Sequence, residues 1–307
     1  MTRIELRIAI LSVLVAGGCA LPEDVGALAR EGKSLNGKSL NGKSLNGKSL
    51  NGTELGGAVT WVSLDGIRLD GRWRLDDAWL DGTELVGRIG PFVVRGSALR
   101  QAELQAMSDT GVPLRLRVRD VDRPGAGGGA WRYRVEVRDD HGWSPICEEG
   151  GAELAAYAVS GWWRPQEGVP GGGDKVTGDD RFTFACPRLG AIGKCIELGY
   201  RPWASAGDVP LERHHQSCVR ALRADYCGDG ASHTVDGTLI NIYDALGLQV
   251  DTEEWTFEAE WYSGGARCFS DDNRALEHVP CYAERSSDTC GDPSHFEDGT
   301  RLMTEME

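Results

Sequence analysis

Arg223-Ala-Asp-Tyr-Cys-Gly-Asp-Gly230 closes the second of two amphipathic helix patterns within residues 186–244, a stretch that carries four of the nine cysteines. Upstream, Pro187 suits a first helical turn, where its missing N–H is harmless. Leu189, Ile192, Ile196 and Tyr200 then recur at helical spacing, and Gly199 reads as the stop. The second pattern spans about residues 208–227. Leu211, His215, Cys218, Val219, Leu222 and Tyr226 share one face, Arg213, Arg220 and Arg223 lie off it, and Gly228 ends it. The short connection brings Cys195 within bridging range of Cys218. Past Gly230, residues 234–238 read as a turn and Leu239-Ile-Asn-Ile-Tyr243 as a buried strand.

Outward from this stretch the patterns are those of strands. Leu114-Arg-Leu-Arg-Val-Arg119 and Trp131-Arg-Tyr-Arg-Val-Glu-Val-Arg138 alternate with period two and flank Pro124-Gly-Ala-Gly-Gly-Gly129, which predicts an antiparallel hairpin. Further strands are expected at residues 91–94, 154–163 and 181–186, and a hairpin from 254–262 to 265–269. Residues 168–173 read as a flexible surface loop. The expected class is α+β: mostly antiparallel β with two disulfide-linked helices, preceded by a short repeat segment.

That repeat begins at Gly32 as four copies of Gly-Lys-Ser-Leu-Asn, and a five-residue leucine period resumes at Leu64, Leu69, Leu75, Leu80 and Leu85. It resembles the pentapeptide-repeat family, whose inward leucines imply a right-handed β-solenoid. The other reading is a Gly/Ser/Asn-rich tether. Residues 19–57 are assigned to the tether. Residues 58–90, with Trp61, Val62, Trp73 and Trp79 to bury, are assigned to a pentapeptide-like β segment, and residues 91–307 to a cysteine-rich globular domain. Before the repeat, Arg3 and Arg7 precede a short apolar run and Ala16-Gly-Gly-Cys19. Too short to span a bilayer, the run reads as a lipoprotein signal over residues 1–18, with Cys19 the lipidated first residue of the mature chain. Export to the outer membrane, periplasmic or surface-facing, follows as an expectation.

Eight cysteines remain after Cys19: Cys147, Cys186, Cys195, Cys218, Cys227, Cys268, Cys281 and Cys290. An even number in an exported chain predicts four disulfides, whose pairing spacing alone leaves open. The chain carries a net charge of −14, and residues 147–307, with 13 Lys+Arg against 29 Asp+Glu, carry 13 − 29 = −16. The part before Cys147 is therefore at −14 + 16 = +2. Such an acidic half excludes nucleic acid as the expected partner.

Several ordered motifs within residues 186–281 carry a resemblance: Gly193-Lys-Cys-Ile-Glu-Leu-Gly-Tyr-Arg-Pro-Trp203, the Cys218 helix, the Arg223–Gly230 run, Glu258-Ala-Glu-Trp261 and Gly265-Ala-Arg-Cys268. Together they resemble the ADYC-domain family of exported, myxobacterial-type lipoproteins. The resemblance implies an exported, cysteine-rich domain and brings no catalytic residues with it.

Candidate chemistry gathers at residues 214–236. Cys227 as nucleophile, with His215 or His233 as base and Asp225 as orienter, has the right residue types. Disulfide formation competes with that role. Zinc ligands drawn from His214 or His215, Cys218, Cys227 and His233 lack a paired-cysteine spacing. Asp225, Asp229 and Asp236 among glycines are the oxygen donors a Ca²⁺ ion takes, in competition with a turn-shaping role. Glycoside hydrolysis needs two carboxylates that sequence cannot single out here. For binding, Trp162 and Trp163 are candidate sugar platforms, and Arg115, Arg117, Arg119, Arg132, Arg134 and Arg138 line one face of the hairpin. Acids from residues 147–307 are expected to neutralise those arginines, in preference to an external anionic polymer. The expected role is thus a binding or structural module of the cell envelope, with envelope polysaccharide or another envelope protein as partner. The alternative is an exported Ca- or Zn-dependent hydrolase built on the 214–236 cluster.

Overall fold

In the computed structural model the described residues are 38–39, 59–123, 125, 129–235 and 238–307. The rest of the expected signal and tether, Cys19 included, lies outside them. In chain order the main elements begin with β1 (Val59–Ser63), β2 (Asp77–Asp81), β3 (Glu84–Ile89), β4 (Phe92–Arg95) and β5 (Glu103–Ser108). Next come β6 (Pro113–Asp122), β7 (Arg132–Asp139), β8 (Gly142–Pro145), β9 (Ala156–Ser160) and β10 (Arg181–Ala185). The helices α1 (Ala191–Glu197) and α2 (Glu212–Arg223) are followed by β11 (Leu239–Tyr243), β12 (Thr256–Tyr262) and β13 (Gly265–Phe269). A one-turn α3 (Tyr282–Arg285) and β14 (Leu302–Met306) complete the chain.

Six strands close on themselves. β1 pairs with β5, β5 with β6, β6 with β7, β7 with β9, β9 with β10, and β10 again with β1, every pair antiparallel. The α+β expectation is therefore corrected: strands hold 40% of the chain and helices 13%, and the organising unit is a closed barrel. Its interior is filled by one side of each alternating strand, among them Val62, Leu116, Val135, Phe182 and Phe184, all at most 1% exposed. Tyr133 stands at one end, where its hydroxyl accepts from Leu85 N (2.6 Å) and donates to Thr83 O (3.2 Å). Burial pushes that phenol above its ordinary range.

The segment 58–90 is not a solenoid. β1 belongs to the barrel, and β2–β3–β4 form an antiparallel meander lying over it, with Leu64, Leu75 and Leu85 in the barrel core. The five-residue leucine period arises from strands and tight turns of similar length rather than from coils. Val62 is buried as expected, but Trp73 and Trp79 are exposed and Trp61 half-exposed.

A second sheet, in the order β11–β14–β12–β13, lies on the far side of the helices. Lys38–Ser39, inside the stretch read as tether, pairs along the free edge of β11. The outward side chains of β9 and β10, including Val159 and Ala185, join α1, α2 and this sheet in a second core around Trp261, Tyr226 and Phe269. α1 starts at Ala191, later than Pro187 suggests. α2 ends at Arg223 because Ala224 takes the left-handed conformation (φ 52°), four residues before Gly228. Four disulfides join Cys147–Cys186, Cys195–Cys218, Cys227–Cys281 and Cys268–Cys290. The second of these links α1 to α2, as the short connection between the helices implied.

Candidate functional site

The 223–230 run is a buried lock. Asp225 accepts from Gly228 N (2.9 Å), Asp229 N (3.1 Å) and Gly230 N (3.0 Å), and pairs with the fully buried Arg220. Burial pushes the Asp225 carboxyl above its ordinary value, with Arg220 pulling it back. Arg220 continues to Gly172 O (2.8 Å) and Asp174 (2.5 Å), and Arg223 to Gly230 O (2.7 Å) and Glu167 (2.8 Å). Residues 168–173 are thus in part a docked loop. A Cβ on Gly172 would stand 2.1 Å from Asp229 O, so only glycine lets the two backbones meet. Helical spacing placed Arg220 and Arg223 off the apolar face. The docked loop buries them all the same.

Tyr226 lies between the rings of Trp261 (5.3 Å) and Phe269 (4.6 Å). Its hydroxyl donates to Glu258 (2.5 Å), which also receives two bonds from the fully buried Arg274 (2.6 and 2.9 Å) and one from Thr304 (2.8 Å). Ring burial and the Glu258 charge drive the Tyr226 phenol well above its ordinary range.

The structure places the residues proposed for chemistry as follows. Cys227 is bonded to Cys281 and Cys218 to Cys195, so neither offers a thiolate to a substrate or to zinc. His215 lies in the core with Nε2 on Ile192 O (3.1 Å) and its ring beside Trp163, and burial lowers its pKa to about 3. His214 stacks on Tyr200 and is likewise held low by burial, while His233 lies against Tyr226. The structure does not bring these groups together as a catalytic set. Both carboxylate oxygens of Asp225 accept from backbone N–H groups and one oxygen of Asp229 accepts from Ala231 N, so both side chains shape the turn. Asp236 lies outside the described residues. Among the described residues, the group with metal-ligand spacing is Glu260, Cys268 and Cys290. Its cysteines are bridged, and Glu260 is held by Gly291 N, His295 Nδ1 and Thr300 Oγ1.

The arginine face is neutralised, from a source other than the one expected. Arg115 meets Glu103 (2.8 Å), Arg117 meets Glu136 (2.5 Å), Arg134 meets Asp122 (2.8 Å), and Arg119 alone reaches past residue 147, to Glu153. The acids lie on the neighbouring strands, where opposite charges face one another across the ladder. Arg138 stacks on Trp143, and Arg132 takes part in an interaction with Tyr157. Trp163 is buried, its indole N–H donating to Gln216 (2.7 Å), and Trp162 is half-buried.

A recess of about 900 Å³ opens across the outer face of β1, β5 and β6. Trp61 forms its wall, with the Arg181 guanidinium 4.2 Å from the ring centroid. Gln105, Met107 and the Arg115–Glu103 pair continue the floor, and Asp65, Arg68 and Asp180 the rim. Three arginines and three carboxylates balance there. Of the proposed binding residues, Arg115 alone reaches this groove. The signal overlooked was Trp61, which occupies an outward position between the inward Val59 and Val62 of a strand.

The sequence model of the ADYC domain matches residues 96–275. That range takes in five of the six barrel strands, both longer helices and β11 to β13. No curated protein and no solved structure matches the chain.

Proposed function

The chain belongs to the ADYC-domain family, and from that premise we propose that it is an exported ligand-binding module, anchored through Cys19 and offering the β1–β5–β6 groove to a hydroxyl-rich envelope polysaccharide. The groove carries the reading. An aromatic wall, a free amide and charge-balanced planar carboxylate and guanidinium groups are the set that takes sugar faces and hydroxyl pairs. The barrel supports it with a rigid, packed base, and four disulfides fit an oxidising compartment. A partner protein in the envelope would use the same open face.

Affinity electrophoresis through soluble neutral polysaccharides tests the site. At least one polymer should retard the wild-type chain, and Trp61→Ala should abolish the retardation without moving the thermal midpoint by more than a few degrees. Equal retardation of both proteins, or of neither, sinks the groove. Anchoring is tested separately: Cys19→Ala should shift the protein from the membrane to the soluble fraction, and unchanged fractionation with no mass difference would remove the lipid from the reading.

A further inference from the structure

A second recess, separate from the groove, opens on the far side of the molecule beside β12, β13 and α3, with a volume of about 390 Å³. Its lining includes Arg213, Arg267, Arg285 and Arg301, against a single carboxylate, Asp298. Residues 147–307 hold only 13 Lys and Arg against 29 acids, so a wall with four of those 13 and one acid is the reverse of its surroundings. Asp298 stands 4.0 Å from Arg267. Arg213, Arg285 and Arg301 pair with no carboxylate among the described residues.

Two of the four guanidinium groups are aimed by backbone. Arg285 donates from Nη1 to Tyr226 O (2.7 Å) and Ala266 O (2.5 Å), and from Nη2 to Cys227 O (2.9 Å). Arg267 donates from Nη1 to His295 O (3.4 Å) and Asp298 O (3.3 Å). Carbonyl oxygens orient a guanidinium without cancelling its charge. The remaining N–H groups stay available as a fixed fork, the geometry that matches phosphate oxygens. The cradle needs glycine: a Cβ on Gly265 would lie 2.8 Å from both Arg285 Nη1 and Tyr226 O, and one on Gly228 would lie 1.8 Å from Gly264 O. Cys227–Cys281 and Cys268–Cys290 tie down the backbone beside each of the two arginines. Gathering four like charges opposes folding unless an anion joins them.

We propose that Arg213, Arg267, Arg285 and Arg301 form a binding site for a phosphate-class oxyanion. The oxyanion sits between the two carbonyl-held guanidinium groups, and Arg213 and Arg301 close on it from the rim. The same chemistry is presented by a soluble phosphate ester and by a phospholipid headgroup. Two probes separate them: inorganic pyrophosphate followed by calorimetry, and phosphatidylglycerol vesicles followed by flotation. The protein is the full chain carrying Cys19→Ser, so that no acyl group can bring it to the vesicle.

Binding of pyrophosphate assigns a soluble ester, and binding of vesicles over phosphatidylcholine controls assigns a headgroup. Either result supports the site, provided that Arg213→Gln with Arg301→Gln weakens it by at least about tenfold. Asp298→Asn, which leaves every arginine in place, should tighten binding by removing the competing carboxylate, and it reports even if the double variant folds poorly. Binding of neither probe above an equal ionic strength of sodium chloride, equal binding by the double variant, or an unchanged Kd for Asp298→Asn would each overturn the proposal.

Discussion

Glu258 and Arg274 show what a charged pair does once it is taken out of water. Both are buried. Tyr226 and Thr304 also donate to Glu258 and Arg274 Nη2 donates to the Ala221 carbonyl, while Arg274 Nη1 is buried with no hydrogen-bond partner among the described residues. Removing one member leaves the other charge unpaired, which typically destabilises a fold by about 3–5 kcal/mol, whereas replacing both by apolar groups of similar volume is often near neutral. Glu258→Gln should therefore cost more in urea unfolding than Glu258→Leu combined with Arg274→Met. Equal losses would mean that the pair is not coupled. His215 gives a pH signature of its own. Its folded pKa of about 3 lies below the unfolded value of 6.5, so the unfolded chain takes up the proton first. Stability is then lost as pH falls from 6.5 toward 3, at a rate approaching about 1.4 kcal/mol per unit. Asp225 and Glu197, whose carboxyls burial raises, oppose this in the lower part of the window. The difference between wild type and His215→Gln should isolate the histidine. If that difference is flat from pH 7 to 4.5, the ring is not buried neutral. Sequence placed His215 on an apolar face correctly. It missed Arg220 and Arg223, because helical spacing records which side a residue takes and not whether a later loop will cover it.

At the scale of elements, the bridges decide which contacts persist. Chain-entropy reasoning ranks them by the loop they close: the Cys227–Cys281 separation of 54 residues is worth about 4 kcal/mol, and the Cys268–Cys290 separation of 22 about 3 kcal/mol. The longer bridge also holds the segment after α2 that presents the Tyr226 and Cys227 carbonyls to Arg285. Cys227→Ser with Cys281→Ser should thus lower the unfolding midpoint more than the equivalent change at 268 and 290. It should also release Arg285, seen as faster exchange of its guanidinium protons by NMR. A smaller loss at 227–281 than at 268–290 would refute the ranking. The helices, the two hairpins and the even set of bridged cysteines were legible in sequence, because each depends on local spacing or on parity. Pairing was not, beyond Cys195–Cys218, because partners so far apart meet only when the second sheet has formed.

The molecule as a whole depends on β1, the strand least visible in the sequence. Val62 pairs with Ala106 on one side and Phe182 on the other, so five residues near the start of the described chain close a barrel whose other strands follow residue 102. Leucine periodicity had set residues 58–90 apart as a repeat, since closure is a property of registers between distant strands and leaves no local pattern. Truncation distinguishes the two organisations. Removing residues 1–57 takes away only the two-residue Lys38–Ser39 pairing among the described elements, and cooperative unfolding should persist with a small loss of stability. Removing residues 1–63 also strips β1. It exposes the inner face of Phe182 and the unpaired edges of β5 and β10, and open edges of this kind promote association. The longer truncation should lose its cooperative transition or aggregate on size exclusion, while the shorter one stays monodisperse. If both unfold alike, β1 does not close the barrel, and the groove lined by Trp61 loses the strand that positions it.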